Sequence, residues 1–242
     1  MHVYPRIIPV LLLDGERLVK TRQFGDPRYV GDPVNVISIF NDLEVDELML
    51  LDIGGARSRE AAPISLLERL VSEAFIPLAY GGGVTDAAQA EQIIATGIEK
   101  VVVNTVLVED PEAVRAMVAT LGSQAVVGAV DVRLTSTGYR VFVEGGKRDT
   151  GLGLDEWLSR AEDVGVGEIL VTSIDREGSR EGIDLELVRR VAETVSVPVI
   201  GHGGAGTRED LVAPIEHSGA SAVAAGTAFV MQAGRDSVLI NY

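Results

Sequence analysis

The chain has 242 residues, 46% of them hydrophobic and 24% charged, a composition that can bury a large core and is not that of a disordered chain. Its formal net charge of -15, shared evenly between its two halves, argues against nucleic acid and anionic membranes as partners. Cysteine is absent, which excludes disulfides, thiol catalysis and thiolate metal sites.

Short apolar runs occupy residues 6–13, 47–53, 75–80, 100–104, 124–132, 168–173, 197–201 and 221–226. They are rich in Val, Ile and Leu and do not alternate with polar residues, the pattern of parallel strands buried on both faces. Amphipathic patterns at 65–73, 86–96, 111–121, 155–164, 184–194 and 208–217 lie between them. Several begin at Asp, Ser or Thr and end in glycine, as at Gly97, Gly122 and Gly219. Eight strand–helix units in one domain-sized chain predict a (β/α)8 barrel, with an open doubly wound sheet as the alternative. The start has too short an apolar run for a secretory leader, and no run reaches about 18 apolar residues. A soluble cytoplasmic protein is expected.

An internal repeat strengthens the barrel reading. FIPLAYGGGVTDAAQ at 75–89 echoes SVPVIGHGGAGTRED at 196–210, and VDELMLLDI at 45–53 echoes VGEILVTSI at 166–174. Pro77 and Pro198 stand 121 positions apart, as do Glu47 and Glu168. The chain is therefore read as one TIM-barrel domain of two half-barrels, about 1–121 and 122–242. Its longest connections, 14–35 and 133–154, follow the first and fifth strands. They are candidate lids, the second containing a hairpin with Gly138 at its turn.

Chemistry concentrates in three places. Gly81, Gly82 and Gly83 end one strand, and Gly203 and Gly204 end another. Each group is followed one strand later by a small polar turn, Asn104-Thr105 or Gly226-Thr227. Glycine lets backbone N–H groups approach a phosphate, so two anion sites across the barrel mouth are expected, bridged by a ligand with two phosphates. Asp52, Asp131 and Asp175 end strands two, five and six, with Glu177 just beyond, where barrels place acid–base groups. Lys20, on the first loop, is placed to reach a phosphate or sugar hydroxyl. Arg6, Glu47, Lys100 and Glu168 each open an apolar run. Spacing alone leaves these four open: a salt-bridged ring at the barrel floor, or ordinary solvated strand starts. His2, His202 and His217 show no ligand spacing, so neither metal nor cofactor is expected.

RIIPVLLL, DELMLLDI, FIPLAYGGGV, KVVVNT, GSQAVVGAVDVR, GEILVTSIDREGS and GGAG together resemble the cyclase (synthase) subunit of imidazole glycerol phosphate synthase, over nearly the whole chain. The resemblance implies a (β/α)8 barrel acting on a bisphosphate ribulosyl intermediate of histidine biosynthesis. A glutaminase partner would dock on the N-terminal face, and its ammonia would travel through the barrel. Carried across, the ammonia gate falls on Arg6, Glu47, Lys100 and Glu168. One phosphate site falls on Gly82, Gly83, Asn104 and Thr105. The other falls on Glu177, Gly178, Gly203, Gly204, Gly226 and Thr227. The family's catalytic aspartate falls on Asp131, with Asp52 and Lys20 beside it.

The first strand departs from the family. Where the family carries a second catalytic Asp, this chain reads VLLL, and alignment puts either Leu12 or Leu11 there. Asp14 is the nearest carboxylate, about 6.6 Å further along the strand from Leu12. Glu177 stands where the family usually has Asp, and the chain ends in VLINY where the family continues into a last helix. VLLL, LVKT, PRYVGDP, ASAVAAG and VLINY resemble a divergent branch associated with sugar amidation in surface polysaccharide or O-antigen synthesis. That resemblance implies ammonia supply to a separate sugar amidotransferase. A working cyclase of histidine biosynthesis and a non-catalytic bisphosphate-binding scaffold are the alternatives.

Overall fold

The computed structural model describes residues 5–231 and Val238. His2 and the VLINY terminus, apart from Val238, lie outside the described residues. In chain order, β1 (Arg6–Asp14) leads into a ribbon of β2 (Arg17–Lys20) and β3 (Arg28–Gly31), then α1 (Pro33–Asp42). Next come β4 (Leu48–Asp52), α2 (Ile53–Ser58), α3 (Ile64–Glu73), β5 (Leu78–Gly81), α4 (Ala87–Ala95) and β6 (Lys100–Val103). α5 (Thr105–Glu109) and α6 (Pro111–Leu121) precede β7 (Val126–Thr135), β8 (Gly138–Val143), β9 (Arg148–Gly153) and α7 (Leu154–Val164). β10 (Glu168–Ser173), α8 (Leu185–Thr194), β11 (Val199–His202), α9 (Arg208–Ser218), β12 (Ala222–Ala225) and α10 (Thr227–Val230) complete the fold.

Eight strands close on themselves in the order β1-β4-β5-β6-β7-β10-β11-β12, every neighbouring pair parallel. The closing pair sets Arg6 of β1 against Ala222 of β12. The fold is a (β/α)8 barrel, and the open-sheet alternative falls on that pairing.

Alternation along each strand divides two apolar compartments. Ile8 and Val10 of β1 meet Met49, Val102, Leu170 and Ile200 in the lumen. Leu11 and Leu13 turn outward into the shell shared with the helices, where Trp157 is fully buried. Buried on both faces, such strands have no room for polar alternation, which is why their sequences read as continuous apolar runs. Many of the helices start at aspartates. Asp32, Asp86, Asp110 and Asp184 each cap a helix by accepting a backbone N–H in its first turn. α9 uses a capping box of Thr207 and Asp210.

The two long connections are more structured than turn signals alone foretell. In the first, β2 folds back antiparallel on β1, and β3 on β2. In the second, β7 runs on past the barrel rim and pairs with β8, which pairs with β9. Thr135 opposes Gly138, so Ser136-Thr137 make the turn and Gly138, at φ 104°, opens β8. α2, α5 and α10 have four to six residues, too few to show a helical period.

Candidate functional site

The barrel floor is built by the residues that open β1, β6 and β10 and by Glu47, immediately before β4. Even-numbered positions of β1 face inward, so Arg6 points into the lumen below Ile8. Its guanidinium donates to Glu47 at 2.6 Å and also to Glu168. Lys100 Nζ donates to Glu47 at 2.9 and 3.1 Å and to Glu168 at 3.2 Å. Two cations and two buried carboxylates thus close a four-membered ring. Burial alone would lower the Arg6 pKa. Glu168 and then Glu47 outweigh it, so the guanidinium is held above its ordinary value. The solvated-strand-start reading of these four residues does not fit this geometry.

The opposite end opens into a cavity of about 350 Å³. Its floor is apolar, with Val10, Leu12, Leu51, Val102, Ala129 and Leu170 lining it. Leu12 lines this cavity, whereas Leu11 packs in the outer shell. Of the two alignments, Leu12 is therefore the residue at the mouth. Asp14 is no substitute. Its carboxylate takes a hydrogen bond from Arg57 at 2.5 Å, and it does not line the cavity.

Asp131 faces the cavity from β7. Asn104 donates to it at 2.9 Å, and Thr172 of β10 is its register partner. Burial pushes its pKa up to about 7, against the lowering by Thr172 and Asn104. A raised carboxyl pKa means the folded state holds the proton more tightly than the unfolded chain. The resulting stabilisation is complete below about pH 4 and is lost as pH rises through about 7. Asp131→Asn is therefore expected to be more stable than the parent at pH 8, by ~1–2 kcal/mol since the carboxyl is partly open to the cavity. Urea denaturation should show the gap closing towards pH 4.

Asp52 has a different surrounding. It is the N-cap of α2, accepting from Gly55 N at 2.8 Å, and its other oxygen meets the Tyr80 hydroxyl at 3.3 Å. Burial raises its pKa, partly offset by the bonds from Gly55 and Tyr80. Its carboxylate is occupied in holding α2 and β5 together. Asp52→Ala should cost about 1–2 kcal/mol in thermal denaturation, and Asp52→Asn much less, since the amide oxygen can still cap.

Lys20 at the rim is tied down. Its Nζ donates to Glu177 and to Thr21 O at 2.7 Å. Glu177 is buried, and also accepts from Thr21 Oγ1 at 3.1 Å and from Phe24 N at 3.3 Å. One carboxylate from the β10–α8 connection therefore pins the segment that follows β2. Asp175 serves the other connection, accepting from Leu134 N at 3.1 Å and from Arg133 at 3.3 Å.

The two glycine-rich groups line two adjoining openings at the mouth. Gly82, Gly83, Asn104, Thr105 and Gly226 line the main cavity. Gly178, Gly203, Gly204 and Thr227 line a second, smaller cleft beside it, which Glu177, Gly226 and His202 share with the main cavity. The glycines also serve packing: a Cβ on Gly82 would come within 2.3 Å of Asp52 O, and one on Gly204 within 2.2 Å of Gly182 O. Among the described residues no His, Cys, Asp or Glu cluster could hold a metal ion.

Sequence reasoning missed Thr172, which links Asp131 to His202. Its signal was the parity of β10, where Glu168, Leu170 and Thr172 share the inner face. It also missed Arg59 and Lys147, cations that line the cavity rim.

The histidine biosynthesis protein family matches residues 6–234. The chain belongs to that family. Within it, the chain is 45% identical over 238 residues to "Putative imidazole glycerol phosphate synthase subunit hisF2" of Pseudomonas aeruginosa, covering 98% of this chain and 95% of the relative. It is 42% identical over 240 residues to "Putative imidazole glycerol phosphate synthase subunit HisF" of Leptospira interrogans, covering 98% and 94%. The Vibrio vulnificus relative "Putative imidazole glycerol phosphate synthase subunit hisF3" is 37% identical over 248 residues, covering 100% and 95%. Among the described residues of this HisF-like barrel, no helix is long and apolar enough to cross a membrane.

Proposed function

We propose that this chain is the synthase-type subunit of a cytoplasmic glutamine amidotransferase complex, receiving ammonia through its barrel to support amidation of a sugar in surface polysaccharide synthesis. A glutaminase subunit docks on the N-terminal face, around the Arg6–Glu47–Lys100–Glu168 ring. A phosphorylated small molecule lies across the two glycine-rich sites at the mouth. A separate sugar amidotransferase uses the ammonia or the aminated product.

One observation carries this reading: the floor ring is complete while Leu12 lines the mouth, at the position where the resemblance implies a second catalytic acid. Leucine has no proton to exchange, so acid–base cyclisation loses one partner. Purified chain, given the bisphosphate ribulosyl intermediate and an ammonium salt, should turn over poorly. With a glutaminase partner, its glutamine-dependent ammonia should still reach the mouth. Robust cyclisation by the unmodified chain would overturn the proposal.

That outcome would favour the second reading, a working cyclase, which Asp131 and the names of the relatives support. A scaffold without a channel predicts something else. Filling the lumen with Ala79→Phe would then leave glutamine-driven product formation unchanged.

A further inference from the structure

Asn104, Asp131, Thr172 and His202 stand at the mouth on β7, β10 and β11 and at the end of β6. Strand pairing sets Asp131 beside Thr172 and Thr172 beside His202. The Thr172 hydroxyl lies 3.1 Å from His202 Nδ1, and strand register sets Thr172 next to Asp131, whose charged form it favours. The other arc of the mouth is carried by Gly226, Leu12, Leu51 and Gly81, with Asp52 at the end of β4, whose carboxylate is held by Gly55 N and the Tyr80 hydroxyl. Asp131, Thr172 and His202 are thus neighbours on one side of the mouth.

A hydroxyl has one proton to give. When Asp131 is ionised, Thr172 donates to it, and the Thr172 oxygen then accepts from His202 Nδ1–H. A neutral imidazole with hydrogen on Nδ1 has a bare lone pair on Nε2. Nε2 makes no hydrogen bond among the described residues. His202 lines both the main cavity and the smaller cleft, so this lone pair is available to a ligand spanning the two.

We propose that Asp131, Thr172 and His202 form a proton relay in which His202 Nε2 meets the ligand and Asp131 is the final proton holder. The inference deepens the ammonia-accepting reading of this cavity and rests on it for the proton's source, an N–H of newly bound nitrogen. The N–H bond breaks and its electron pair stays on nitrogen. Nε2 gains that proton, Nδ1 gives its own to Thr172 Oγ1, and the Thr172 hydroxyl proton goes to Asp131. One proton moves from ligand to carboxyl, and nothing is oxidised or reduced.

The local electrostatics agree with these roles. Burial lowers the His202 pKa to about 4, with Glu177 raising it and Lys20 lowering it further, so the ring passes a proton on without keeping it. Asp131, at about 7, can take and return a proton near neutrality. The charged groups that face His202 are Glu177 from the β10–α8 connection and Lys20 from β2, with Asp131 beyond Thr172.

The test is nitrogen NMR on the full chain with 15N-labelled histidine, since only three histidines are present and His202→Asn assigns the signal. At pH 8.5 His202 should carry its hydrogen on Nδ1. As pH falls through about 7 and Asp131 takes a proton, the population should shift to Nε2–H, with the ring neutral to about pH 5. Asp131→Asn should remove this switch. Thr172→Val should remove it too, and Thr172→Ser should keep it, which also covers a valine variant that fails to fold. Hydrogen on Nε2 at pH 8.5, an imidazolium forming near pH 6.5, or a switch that survives Thr172→Val would each overturn the relay. In an ammonium-driven assay, His202→Asn should lower kcat about tenfold or more with KM within twofold. Unchanged kcat would overturn the catalytic role. Turnover too low to read in the parent is what the proposed function expects, and the tautomer measurement then decides the relay by itself.

Discussion

Leu12→Asp should raise ammonium-driven conversion of the bisphosphate ribulosyl intermediate by about 10²-fold or more, the scale of one restored general acid–base group. The position is favourable. Leu12 pairs with Leu51 of β4 and Val19 of β2, and it lines the same cavity as Asp131. A carboxyl there would sit among Val10, Leu51 and Val102, where desolvation raises its pKa towards neutrality. Leu12 is only half-buried, so the exchange should cost no more than about 1–3 kcal/mol. Leu12→Asn is the control, with similar shape and polarity but no proton to exchange. Steady-state turnover of the two variants, checked for folding by circular dichroism, decides the matter. Equal turnover in both would sink the idea of a cyclase site lapsed at one residue.

The second large effect concerns the floor. Arg6→Ala leaves Glu47 and Glu168, both buried, sharing one ammonium from Lys100. Removing one partner of a buried ionic cluster strands a charge and typically costs about 3–5 kcal/mol. Chemical denaturation should show a loss of that order. The pair Arg6→Met with Glu47→Gln removes one charge of each sign and should recover much of it. Function separates more sharply. Ammonium added from solution enters at the open mouth, so ammonium-driven turnover should survive in the paired variant. Glutamine-driven turnover, which under the proposed function needs the floor, should fall about tenfold or more relative to it. Parallel losses in both assays would mean that the ring holds the barrel together and gates nothing.

Much of the fold was legible because parallel strands buried on both faces leave continuous apolar runs, as at Arg6–Asp14 and Glu168–Ser173. The repeat strengthened the barrel reading, and the pairing of β1 with β12 closed the choice of architecture. What failed to show were the elements too short to carry a period, such as Thr227–Val230, and the ribbon of Arg17–Lys20 and Arg28–Gly31, whose pairing depends on a neighbour. The site divides in the same way. Asp131 was legible as a carboxylate ending a strand. Asp52 looked identical by that criterion, yet its backbone leads straight into α2 and its oxygen is spent on Gly55 N. Strand parity, fixed by pairing, separates Leu12 from Leu11 and brings in Thr172, a residue too common in strands to draw notice. The four floor residues lie far apart in sequence, so their meeting is a property of barrel closure and not of local pattern.

That separation bears on how the halves fit. Arg6, Glu47 and Lys100 come from the first half of the chain and Glu168 from the second, with 162 positions between Arg6 and its partner. Alone, the first half would expose a surplus positive charge at its floor, and the second an unmatched negative one. Joined, they cancel. Such long-range closure is slow to form, because the loop entropy is lost before the contacts are gained. A chain folded only as far as β7 would carry an unsatisfied cationic floor. The ring thus acts as a matching key between halves, chosen by charge as well as by shape.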